Sequence, residues 1–293
     1  MATILLDGKA LAANMMALQK KRVQNLSFAI GRAVGIGVVL VGDDPASKAY
    51  VRKKLEACYS TGIVCAERHM RNDVTQAELV EVIQRLNATS NVDAILVQLP
   101  LPKHINERDV LAMIRPDKDV DGLSTVNAGL LSQRLMGTRP CTPLGVMMLL
   151  EQYQIQLQGK HAVVVGDSNL VGRPMALMLL NMGATVTVCH KHTTQLKEKT
   201  KEADILIVAA GQVGLIGAGF VKKGAVVIDI GFNHINGRCF GDVDFDSVAK
   251  IAGAITPVPG GVGPMTVSAL IENTLVLAER RTISRMSSTK RMG

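Results

Sequence analysis

The sequence predicts an α/β protein of two domains, in which each domain has a mostly parallel sheet covered by helices. Three observations support this fold class. Short β-branched apolar runs alternate along the chain with stretches in which apolar residues recur at helical spacing, as in parallel α/β proteins. The chain of 293 residues is longer than one typical domain. The polar stretch 115–122 interrupts the alternation, so we place the hinge between the domains there.

The order of the elements follows from the apolar pattern and the turn residues. Strands are predicted at residues 3–6, 35–41, 63–69, 93–98, 161–165, 184–189, 204–209, 225–230 and 252–255. Helices are predicted at residues 9–26, 46–60, 75–87, about 140–153, from 171 onward and 267–284. Thr75 and Glu78 have the spacing of a capping box at the start of one of these helices.

A glycine-containing loop joins the predicted strand 161–165 to the helix that follows it. Gly166 can form the tight turn off the strand, and Gly172 can let the helix N-terminus approach a pyrophosphate, as in a dinucleotide-binding fingerprint. The middle glycine of that fingerprint is missing, and no Gly-Lys-Ser/Thr sequence follows. The pattern predicts a nucleotide-binding βαβ unit, and ordinary packing of an α/β protein is the alternative.

The second strand of this unit ends in a basic cluster. In a dinucleotide-binding fold the end of this strand faces the adenosine ribose, and an NAD site places an acidic residue there. This chain has His190, Lys191 and His192 instead, which suits a 2′-phosphate and favours NADP over NAD. A solvated basic loop is the alternative interpretation.

These motifs define the predicted domains. Residues 1–121, together with the last helix at about 267–285, are expected to form an N-terminal α/β substrate domain. Residues 122–266 are expected to form a C-terminal Rossmann-type NADP-binding domain, and residues 286–293 a disordered basic tail. Ligands of open α/β sheets bind outside the carboxyl ends of the strands, so we expect the site in a cleft between the two domains.

Two residues on the helix after the strand 35–41 are candidates for proton transfer. Tyr50 and Lys54 are four residues apart and therefore share one helix face. A lysine held in a cleft beside an aromatic ring can have its pKa lowered by desolvation, which makes it a proton donor or acceptor near neutral pH. A solvated basic helix face is the alternative interpretation.

Gln98 and Asp121 are polar candidates at the predicted cleft. Gln98 ends an apolar strand just before Pro100 and Pro102, which favours an amide presented to a substrate over a simple strand cap. The carboxylate of Asp121 can accept two hydrogen bonds from the edge of an amidine-like heterocycle, or it can cap a helix at Ser124.

A stiff loop at residues 257–266 contains three glycines and three prolines. Prolines restrict the backbone, glycines let a ligand approach it closely, and a helix N-terminus follows at Thr266. A rigid linker would explain the composition of this loop, but not its expected position opposite the nucleotide loop.

Composition excludes several classes of protein. Five cysteines without a Cys-x-x-Cys pair fit reduced thiols better than a disulfide framework or a zinc site. Asp7 and Lys9 lie where a signal peptide would have its apolar core, and no apolar run approaches the length of a membrane span. We therefore expect a cytoplasmic protein without a metal or a membrane partner.

The net charge of +8 comes largely from the C-terminal segment. Residues 280–293 hold five basic residues and no acidic residue. The segment lacks interleaved aromatic residues, so we expect a solvated helix end rather than a nucleic-acid-binding tail. The remaining positive charge suits an anionic small substrate or cofactor.

Five motifs carry a family resemblance along nearly the whole chain. They are Tyr-Val-Arg-Lys-Lys at 50–54, Ile-Leu-Val-Gln-Leu-Pro-Leu-Pro at 95–102, Lys-Asp-Val-Asp-Gly at 118–122, Pro-Cys-Thr-Pro at 140–143 and Pro-Gly-Gly-Val-Gly-Pro-Met-Thr at 259–266. With these motifs in this order, the chain resembles the bifunctional methylenetetrahydrofolate dehydrogenase/methenyltetrahydrofolate cyclohydrolase family. The resemblance implies a homodimeric enzyme of one-carbon metabolism that uses NADP and needs no metal.

The resemblance also implies two reactions in one cleft. The first is the NADP-dependent oxidation of 5,10-methylenetetrahydrofolate to 5,10-methenyltetrahydrofolate, and the second is hydrolysis of that product to 10-formyltetrahydrofolate. Lys54 would be the acid/base of the hydrolysis, supported by Gln98. Tyr50 would stack on the aminobenzoyl ring, and Asp121 would bind the pterin edge.

Further binding residues are implied by position in the same motifs and loops. The other substrate-binding residues are Val97, Leu99, Pro259, Gly260 and Gly261. The cofactor-binding residues are Thr142, Gly166, Asp167, Ser168, Val171, Gly172, His190, Lys191, His192, Ala210, Gly211, Ile230, Gly231, Gly263 and Thr266.

Two rival interpretations stay open at the level of sequence. Another NADP-dependent dehydrogenase of similar two-domain build, such as a shikimate-type enzyme, would not need Lys54 beside Gln98 and Asp121. A non-catalytic protein, either a dinucleotide sensor or a nucleic-acid binder, would depend on its binding surfaces alone. In the nucleic-acid case the basic tail 286–293 would be essential.

Overall fold

The computed structural model describes residues 3–235 and 237–289. Within this part, the chain forms eleven strands: β1 (Ile4–Leu5), β2 (Gly35–Val41), β3 (Val64–Met70), β4 (Ala94–Val97), β5 (His161–Val165), β6 (Thr185–Cys189), β7 (Ile205–Val208), β8 (Val226–Asp229), β9 (Asn233–Ile235), β10 (Arg238–Phe240) and β11 (Ala254–Ile255). The same residues form ten α-helices: α1 (Gly8–Ile30), α2 (Pro45–Thr61), α3 (Gln76–Ala88), α4 (Glu107–Ala112), α5 (Thr125–Ser132), α6 (Cys141–Gln152), α7 (Gly172–Asn181), α8 (Leu196–Lys201), α9 (Phe245–Val248) and α10 (Val262–Thr289).

The chain divides into two compact units. The first, which we call the six-stranded unit, comprises residues 1–13, 131–134 and 142–266. The second, which we call the three-stranded unit, comprises residues 14–130, 135–141 and 267–293. The prediction of an α/β protein with two domains is therefore confirmed.

The sheet of the six-stranded unit is parallel throughout, in the order β1-β11-β8-β7-β5-β6. The chain passes from β5 outward to β6 and then returns to β7 on the other side of β5, so the strand order reverses between β5 and β7. Open parallel sheets bind ligands at such a reversal, outside the carboxyl ends of the strands. This topology makes the loops after β5, β6 and β7 the expected nucleotide site.

Branched aliphatic side chains fill the core of this unit. All four residues of β7 are buried, because a parallel strand covered on both faces has no side exposed to water. β8 is similar but ends in a buried carboxylate, Asp229. Packed around these strands are Val163, Val165, Leu206, Val208, Val227, Val243 and Ile255.

The three-stranded unit has the parallel order β3-β2-β4. All seven residues of the central strand β2 are buried. The helix α3 buries Leu79, Ile83 and Leu86 against the sheet, and its predicted capping box at Thr75 and Glu78 is confirmed. Since β2 and β4 run parallel, the helix after β2 and the loop after β4 begin at the same edge of the sheet.

The stretch 115–122, which the sequence suggests to be a polar hinge, is instead packed beside β4. The Ile95 N–H donates to the Lys118 carbonyl at 2.6 Å, and the Val120 N–H donates to the Ile95 carbonyl at 3.3 Å. Lys118, Asp119 and Val120 are 0%, 2% and 0% exposed. The polar side chains of this stretch suggested a hinge, but their hydrogen-bond partners lie inside this unit.

Lys118 closes the C-terminal end of α3 from within the protein. Its Nζ donates to the carbonyls of Leu86, Asn87 and Thr89 at 3.0, 2.8 and 2.8 Å. These are carbonyls at the end of a helix, which have no partner within the helix. Burial lowers the pKa of Lys118 to about 8.

Several elements differ from the predicted pattern. The last helix begins at Val262 rather than at residue 267, and a proline in its first turn is compatible with this start. The short helices α4, α5, α8 and α9 and the hairpin β9–β10 were not predicted. Of the tail predicted to be disordered, 286–293, the part up to Thr289 belongs to α10, and 290–293 lie outside the described residues.

Three global features bear on the class of protein. Over residues 3–235 and 237–289, no helix combines the length and the apolar character that crossing a membrane requires. In that same part of the chain, no group of three or more His, Cys, Asp or Glu side chains could hold a metal ion. The five cysteines are free thiols.

We expect the substitution Lys118→Met to destabilise the protein. Methionine keeps much of the length of the side chain but removes the donor that satisfies three carbonyls. Each buried acceptor left without a partner costs about 1–3 kcal/mol, so the free energy of unfolding should fall by at least about 2 kcal/mol. Urea unfolding measures this change.

The matched control is Lys20→Met, since Lys20 is exposed on α1. This variant should stay within about 0.5 kcal/mol of the parent. Equal stability of the two variants would show that Lys118 does not support the end of α3.

Candidate active site

Helix α2 carries the first two candidate residues, and both of its ends are fixed. Asp44 caps the N-terminus by accepting a hydrogen bond from the Ser47 N–H, and Gly62 ends the helix in a left-handed conformation with φ of 90°. These caps hold the helix against β2 and β3. Because residues four apart share a helix face, Tyr50 and Lys54 project from the same side.

Lys54 and Gln98 form a hydrogen-bonded pair. Lys54 is only 7% exposed, and its Nζ donates to Gln98 Oε1 at 3.0 Å. The same Nζ lies 5.9 Å from the centroid of the Tyr50 ring. Gln98 Nε2 donates to the Leu99 carbonyl at 2.5 Å, which leaves Oε1 to face the lysine. The exposed-face interpretation holds for neighbouring Lys53 but not for Lys54.

The partner of Lys54 is an amide rather than a carboxylate. Among the described residues, no salt bridge involves Lys54. The hydrogen-bond partner of this buried amine is thus the neutral amide of Gln98, 3.0 Å away.

Asp121 belongs to the same neighbourhood as Lys54 and Cys141. Burial raises the pKa of the Cys141 thiol well above its usual value, and the Asp121 carboxylate raises it further by its charge and a hydrogen bond. The charge of Lys54 acts on the same thiol in the opposite direction. Three ionisable side chains from separate parts of the sequence are therefore close enough to influence one another.

The neighbouring residues leave Asp121 free of a capping role. Ser124 Oγ accepts from the Asn127 N–H at 3.3 Å and caps the start of α5, and the Ser124 N–H donates to Asp119 Oδ2 at 2.8 Å rather than to Asp121. Asn273 Nδ2 donates to the Val120 carbonyl at 2.8 Å and fixes the backbone between these two acids. This support leaves the Asp121 carboxylate half-buried and available to a ligand.

In the six-stranded unit, two glycines make the loop after β5 possible. Gly166 has φ of +116°, and a Cβ at this position would lie 2.1 Å from the Ala209 carbonyl oxygen. A Cβ on Gly172 would lie 2.0 Å from the Gly166 carbonyl oxygen. Gly166 therefore makes a tight turn off the strand, and Gly172 lets the helix pack closely against that turn. The approach of a pyrophosphate to Gly172 stays a prediction.

The other residues of this loop are tied to the start of α7. Ser168 Oγ accepts from the Val171 N–H at 3.1 Å and from the Gly172 N–H at 3.4 Å. Arg173 Nε donates to the Asp167 carbonyl at 2.9 Å, and its guanidinium lies 3.7 Å from the Asp167 carboxylate. The negative charge that Asp167 adds near a predicted phosphate site is thus partly offset.

The basic cluster follows β6 at the carboxyl edge of the sheet. His190, Lys191 and His192 are all exposed, and the two imidazole rings meet edge to face with centroids 5.9 Å apart. The His190 N–H donates to Thr193 Oγ1 at 2.9 Å, which fixes the turn. Lys191 carries a positive charge, and all three side chains are accessible, as binding of a 2′-phosphate requires.

The glycine- and proline-rich loop is anchored within the same unit. The Lys9 N–H donates to the Gly260 carbonyl at 2.8 Å, and α1 starts so close to Gly261 that a Cβ on Gly8 would lie 1.9 Å from its carbonyl oxygen. At the end of the loop, Thr266 Oγ1 donates to Thr142 Oγ1 at 3.1 Å.

The predicted site residues fall into two groups, one in each unit. The group in the three-stranded unit consists of Tyr50, Lys54, Val97, Gln98, Leu99 and Asp121. The group in the six-stranded unit consists of Thr142, Gly166, Asp167, Ser168, Val171, Gly172, His190, Lys191, His192, Ala210, Gly211, Ile230, Gly231, Pro259, Gly260, Gly261, Gly263 and Thr266.

Together these features define a class of enzyme. A parallel sheet with a glycine turn and a basic cluster at its point of reversal is typical of nucleotide-dependent dehydrogenases. A buried lysine held by an amide, with a carboxylate nearby, is typical of a site that transfers protons.

Comparison with known families identifies the class more closely. Residues 6–121 match the model described as "Tetrahydrofolate dehydrogenase/cyclohydrolase, catalytic domain". Residues 140–282 match the model described as "Tetrahydrofolate dehydrogenase/cyclohydrolase, NAD(P)-binding domain". The chain therefore belongs to the tetrahydrofolate dehydrogenase/cyclohydrolase family, and the resemblance drawn from the sequence motifs is confirmed.

Individual relatives are similar over almost their whole length. The bifunctional protein FolD of Methanospirillum hungatei is 52% identical over 278 residues, which are 95% of this chain and 98% of the relative. The crystal structure of FolD from Campylobacter jejuni has a TM-score of 0.93 at 50% identity, over 96% of this chain and 100% of that one. FolD of Trypanosoma brucei, solved with NADP cofactor and inhibitor, has a TM-score of 0.92 at 38% identity, over 96% and 98%.

The shikimate-type rival shares the fold alone. Shikimate 5-dehydrogenase of Thermus thermophilus has a TM-score of 0.52 at 17% identity, over 84% of this chain and 99% of that one. The chain thus shares this fold, as the sequence suggested, but it belongs to a different family.

Sequence reasoning missed three residues that shape the lysine site. Asp119 and Asn273 hold the segment that carries Asp121, and Cys141 lies beside its carboxylate. Cys141 could have been found, because it lies in one of the motifs that carry the family resemblance. Asn273 carries no local signal, because it lies more than 100 residues from its partner on a regular helix.

We expect the substitution Gly172→Ala to weaken binding of NADP. The new Cβ would lie 2.0 Å from the Gly166 carbonyl oxygen, so the loop after β5 would have to shift. Since this loop is predicted to contact a phosphate of the cofactor, its displacement should raise the Kd for NADP about tenfold or more. Titration calorimetry measures this.

Gly217→Ala is the matched control in the same unit. The nearest atom to its Cβ would be Ser247 Oγ at 3.8 Å, which is ordinary contact. Unchanged NADP affinity in the Gly172 variant would remove the loop after β5 from the cofactor site.

Proposed function

We propose that the buried pair of Lys54 and Gln98 is the proton-transfer centre of a bifunctional folate enzyme. The chain is an NADP-dependent methylenetetrahydrofolate dehydrogenase and a methenyltetrahydrofolate cyclohydrolase. It converts 5,10-methylenetetrahydrofolate to 5,10-methenyltetrahydrofolate and then to 10-formyltetrahydrofolate. The observation that carries the assignment of residues is the hydrogen bond of 3.0 Å between Lys54 Nζ and Gln98 Oε1 in a buried position.

The dehydrogenase step requires mainly that the folate and the cofactor be aligned. A hydride leaves the methylene carbon that bridges N5 and N10 of the folate, and NADP supplies the acceptor for it. The chain's own contribution is to hold the two reactants at a fixed distance and orientation, which can lower the barrier by several kcal/mol, about 7–11 in favourable cases. Backbone loops with glycines, rather than acids or bases, are suited to this task.

The hydrolysis step needs proton transfer. A water molecule attacks the cationic methenyl carbon, and the neutral amine of Lys54 takes a proton from that water. The resulting ammonium returns that proton to N5 as the bond between carbon and N5 breaks. The hydroxyl proton of the intermediate passes to solvent when the formyl C=O forms, so one proton is released overall.

Three neighbours assist Lys54 in this scheme. The Gln98 amide oxygen holds Nζ in place and carries no negative charge. A carboxylate in the same place would keep the lysine protonated. Tyr50 stacks on the aminobenzoyl ring, and the Asp121 carboxylate accepts two hydrogen bonds from the pterin edge. The other proposed substrate contacts are Val97, Leu99, Pro259, Gly260 and Gly261.

The cofactor site is proposed at the carboxyl edge of the six-stranded sheet. The glycine turn after β5 would hold the pyrophosphate at the N-terminus of α7, and His190, Lys191 and His192 would hold the 2′-phosphate. The remaining proposed contacts are Thr142, Asp167, Ser168, Val171, Ala210, Gly211, Ile230, Gly231, Gly263 and Thr266.

The division of labour between domains, the assembly and the location are also proposals. Most of residues 1–121, with the last helix, belong to the three-stranded unit and would form the folate domain, and most of residues 122–266 belong to the six-stranded unit and would form the NADP domain. Residues 1–13 depart from the predicted bounds because they belong to the six-stranded unit, and residues 122–130 and 135–141 because they belong to the three-stranded unit. A homodimer is proposed from the family resemblance. A cytoplasmic location is supported by five free thiols, which are typical of reducing compartments.

We expect the substitution Lys54→Met to abolish the cyclohydrolase activity and to leave more of the dehydrogenase activity. Methionine cannot carry a proton, and general acid–base catalysis contributes about 10²–10⁴-fold. The cyclohydrolase rate should therefore fall by at least about a hundredfold. Spectrophotometric assays of the two steps, run separately, measure the ratio.

Lys53→Met provides the control, because Lys53 is adjacent but exposed. Both of its activities should be close to those of the parent. Equal loss of the two activities in a folded Lys54→Met variant would show that the assignment of roles is wrong.

We expect the substitution Lys191→Ala to weaken the binding of NADP more than the binding of NAD. A charge-assisted contact with the 2′-phosphate is lost, and NAD has no such phosphate. The KM for NADP should rise about tenfold, while that for NAD stays nearly constant.

The control is Lys199→Ala, which removes an exposed lysine from α8 in the same unit. An equal effect of Lys191→Ala on both dinucleotides would place the 2′-phosphate elsewhere.

A further inference from the structure

Two buried carboxylates of the six-stranded unit have no part in the proposed chemistry. Asp229 ends β8 and is 3% exposed, and Asp242 follows β10 and is 0% exposed. Neither forms a salt bridge within residues 3–235 and 237–289. A buried carboxylate without a cation is costly unless its oxygens are fully hydrogen-bonded, so what binds these oxygens matters.

Asp242 holds the loop that follows β7. Its Oδ2 accepts hydrogen bonds from the Ala210 N–H at 2.6 Å and from the Gly211 N–H at 2.8 Å. Its Oδ1 accepts from Asn233 Nδ2 at 2.8 Å. Gly211 has φ of +66°, a left-handed conformation. One oxygen atom therefore fixes two successive backbone groups at the sheet edge where the strand order reverses.

Asp229 holds the turn after β8 and the backbone of Asp242. Its Oδ1 accepts from the Gly231 N–H at 2.9 Å and from the Asp242 N–H at 3.0 Å, and its Oδ2 accepts from the Val243 N–H at 2.9 Å. Burial raises the pKa of Asp229 to about 6, so the group is still mostly ionised at neutral pH. As a carboxylate it can accept all three bonds.

Two glycines provide the space that these carboxylates occupy. A Cβ on Gly231 would lie 2.3 Å from Asp242 Cγ, and a Cβ on Gly241 would lie 1.8 Å from Asp229 Oδ2. A side chain at either position would displace a carboxylate. Gly231, which the sequence singled out as a cofactor residue, thus has a second reason to be glycine.

We propose that Asp242 is a positioning residue for the cofactor, because it fixes the loop 210–211 in the conformation that binds NADP. The inference rests on the proposed function, since it takes this loop to be a cofactor contact. Both N–H groups of the loop are turned toward Asp242, so the loop meets the cofactor with its other side. Asp242 acts through the loop and does not touch NADP.

The substitution Asp242→Asn tests this proposal with almost no change in volume. An amide can present its oxygen to the loop only by turning its nitrogen toward Asn233 Nδ2, so two donors would face each other. The KM for NADP should rise about tenfold or more, while kcat at saturating substrates changes by less than about threefold. The cyclohydrolase assay, which contains no NADP, should stay near the parent value and reports that the protein is folded.

A swapped pair sharpens the test. In the double variant Asn233→Asp/Asp242→Asn, the Asn nitrogen can donate to the new carboxylate while its oxygen accepts from the loop. Most of the NADP affinity should return, whereas Asn233→Asp alone brings two carboxylates together and should raise the KM for NADP. Asp246→Asn, which removes an exposed carboxylate from α9, should have no effect.

Three results would overturn the proposal. One is an unchanged KM for NADP in the Asp242→Asn variant, and another is a double variant that recovers nothing. The third is an unchanged KM for NADP in the variant Asn233→Ala, which serves if Asp242→Asn fails to fold. Asn233→Ala is milder because it leaves the Asp242 carboxylate in place and removes its donor at 2.8 Å together with a longer hydrogen bond of 3.3 Å to the Phe240 carbonyl.

Direct titration with NADP separates this proposal from the proposed function. Parent protein that binds NADP tightly but oxidises no methylenetetrahydrofolate would contradict the proposed function. Equal NADP affinity of the parent and the Asp242→Asn variant would contradict the role of Asp242 alone.

Discussion

The hydrogen bond between Lys54 and Gln98 is the contact around which the candidate proton-transfer site is built. A lysine that is only 7% exposed needs a partner, because an unpaired buried amine or ammonium is costly. The Gln98 amide oxygen, 3.0 Å from Nζ, is that partner. The proposed role of Lys54 rests on this pairing of a buried amine with a neutral side chain.

The parallel sheet of the three-stranded unit brings this pair together. β2 and β4 are neighbours, and their register pairs Val39 with Val97, the residue just before Gln98. Helix α2 starts four residues after β2, so it begins at the edge where β4 ends. The segment with Lys118 and Asp119 packs beside β4 and carries Asp121 into the same neighbourhood. Residues distant in sequence therefore meet because parallel strands end together.

The six-stranded unit works by another principle. Its candidate site is made mainly of backbone. Glycines allow backbone or side-chain atoms to come within about 2 Å of where a Cβ would be, and buried carboxylates accept hydrogen bonds from several backbone N–H groups. Its ionisable side chains, Asp167 and the cluster 190–192, lie at the ends of strands β5 and β6. A site shaped mainly by backbone suits a step that needs alignment.

Much of the fold could be predicted from the sequence, because strong periodicity dominates the strands. β2 and β5 begin and end at the predicted residues, and the Thr75 capping box is present. Polar residues with buried partners could not be predicted. Lys118 lies in the stretch predicted to be a polar hinge, yet its Nζ binds three carbonyls at the C-terminal end of α3. Asp119 rather than Asp121 accepts the hydrogen bond from the Ser124 N–H. The pairing of β1 with β11 could not be predicted either, because a strand of two residues is too short to show a pattern in the sequence.

One chain is expected to oxidise methylenetetrahydrofolate with NADP and then to open the product. The decisive measurement is the near-ultraviolet absorbance of the purified protein with methylenetetrahydrofolate and either NADP or NAD. We expect reduced cofactor with NADP, less with NAD, and a methenyl absorbance that decays as 10-formyltetrahydrofolate forms. Absence of reduced cofactor with both dinucleotides would show that the chain does not catalyse this oxidation.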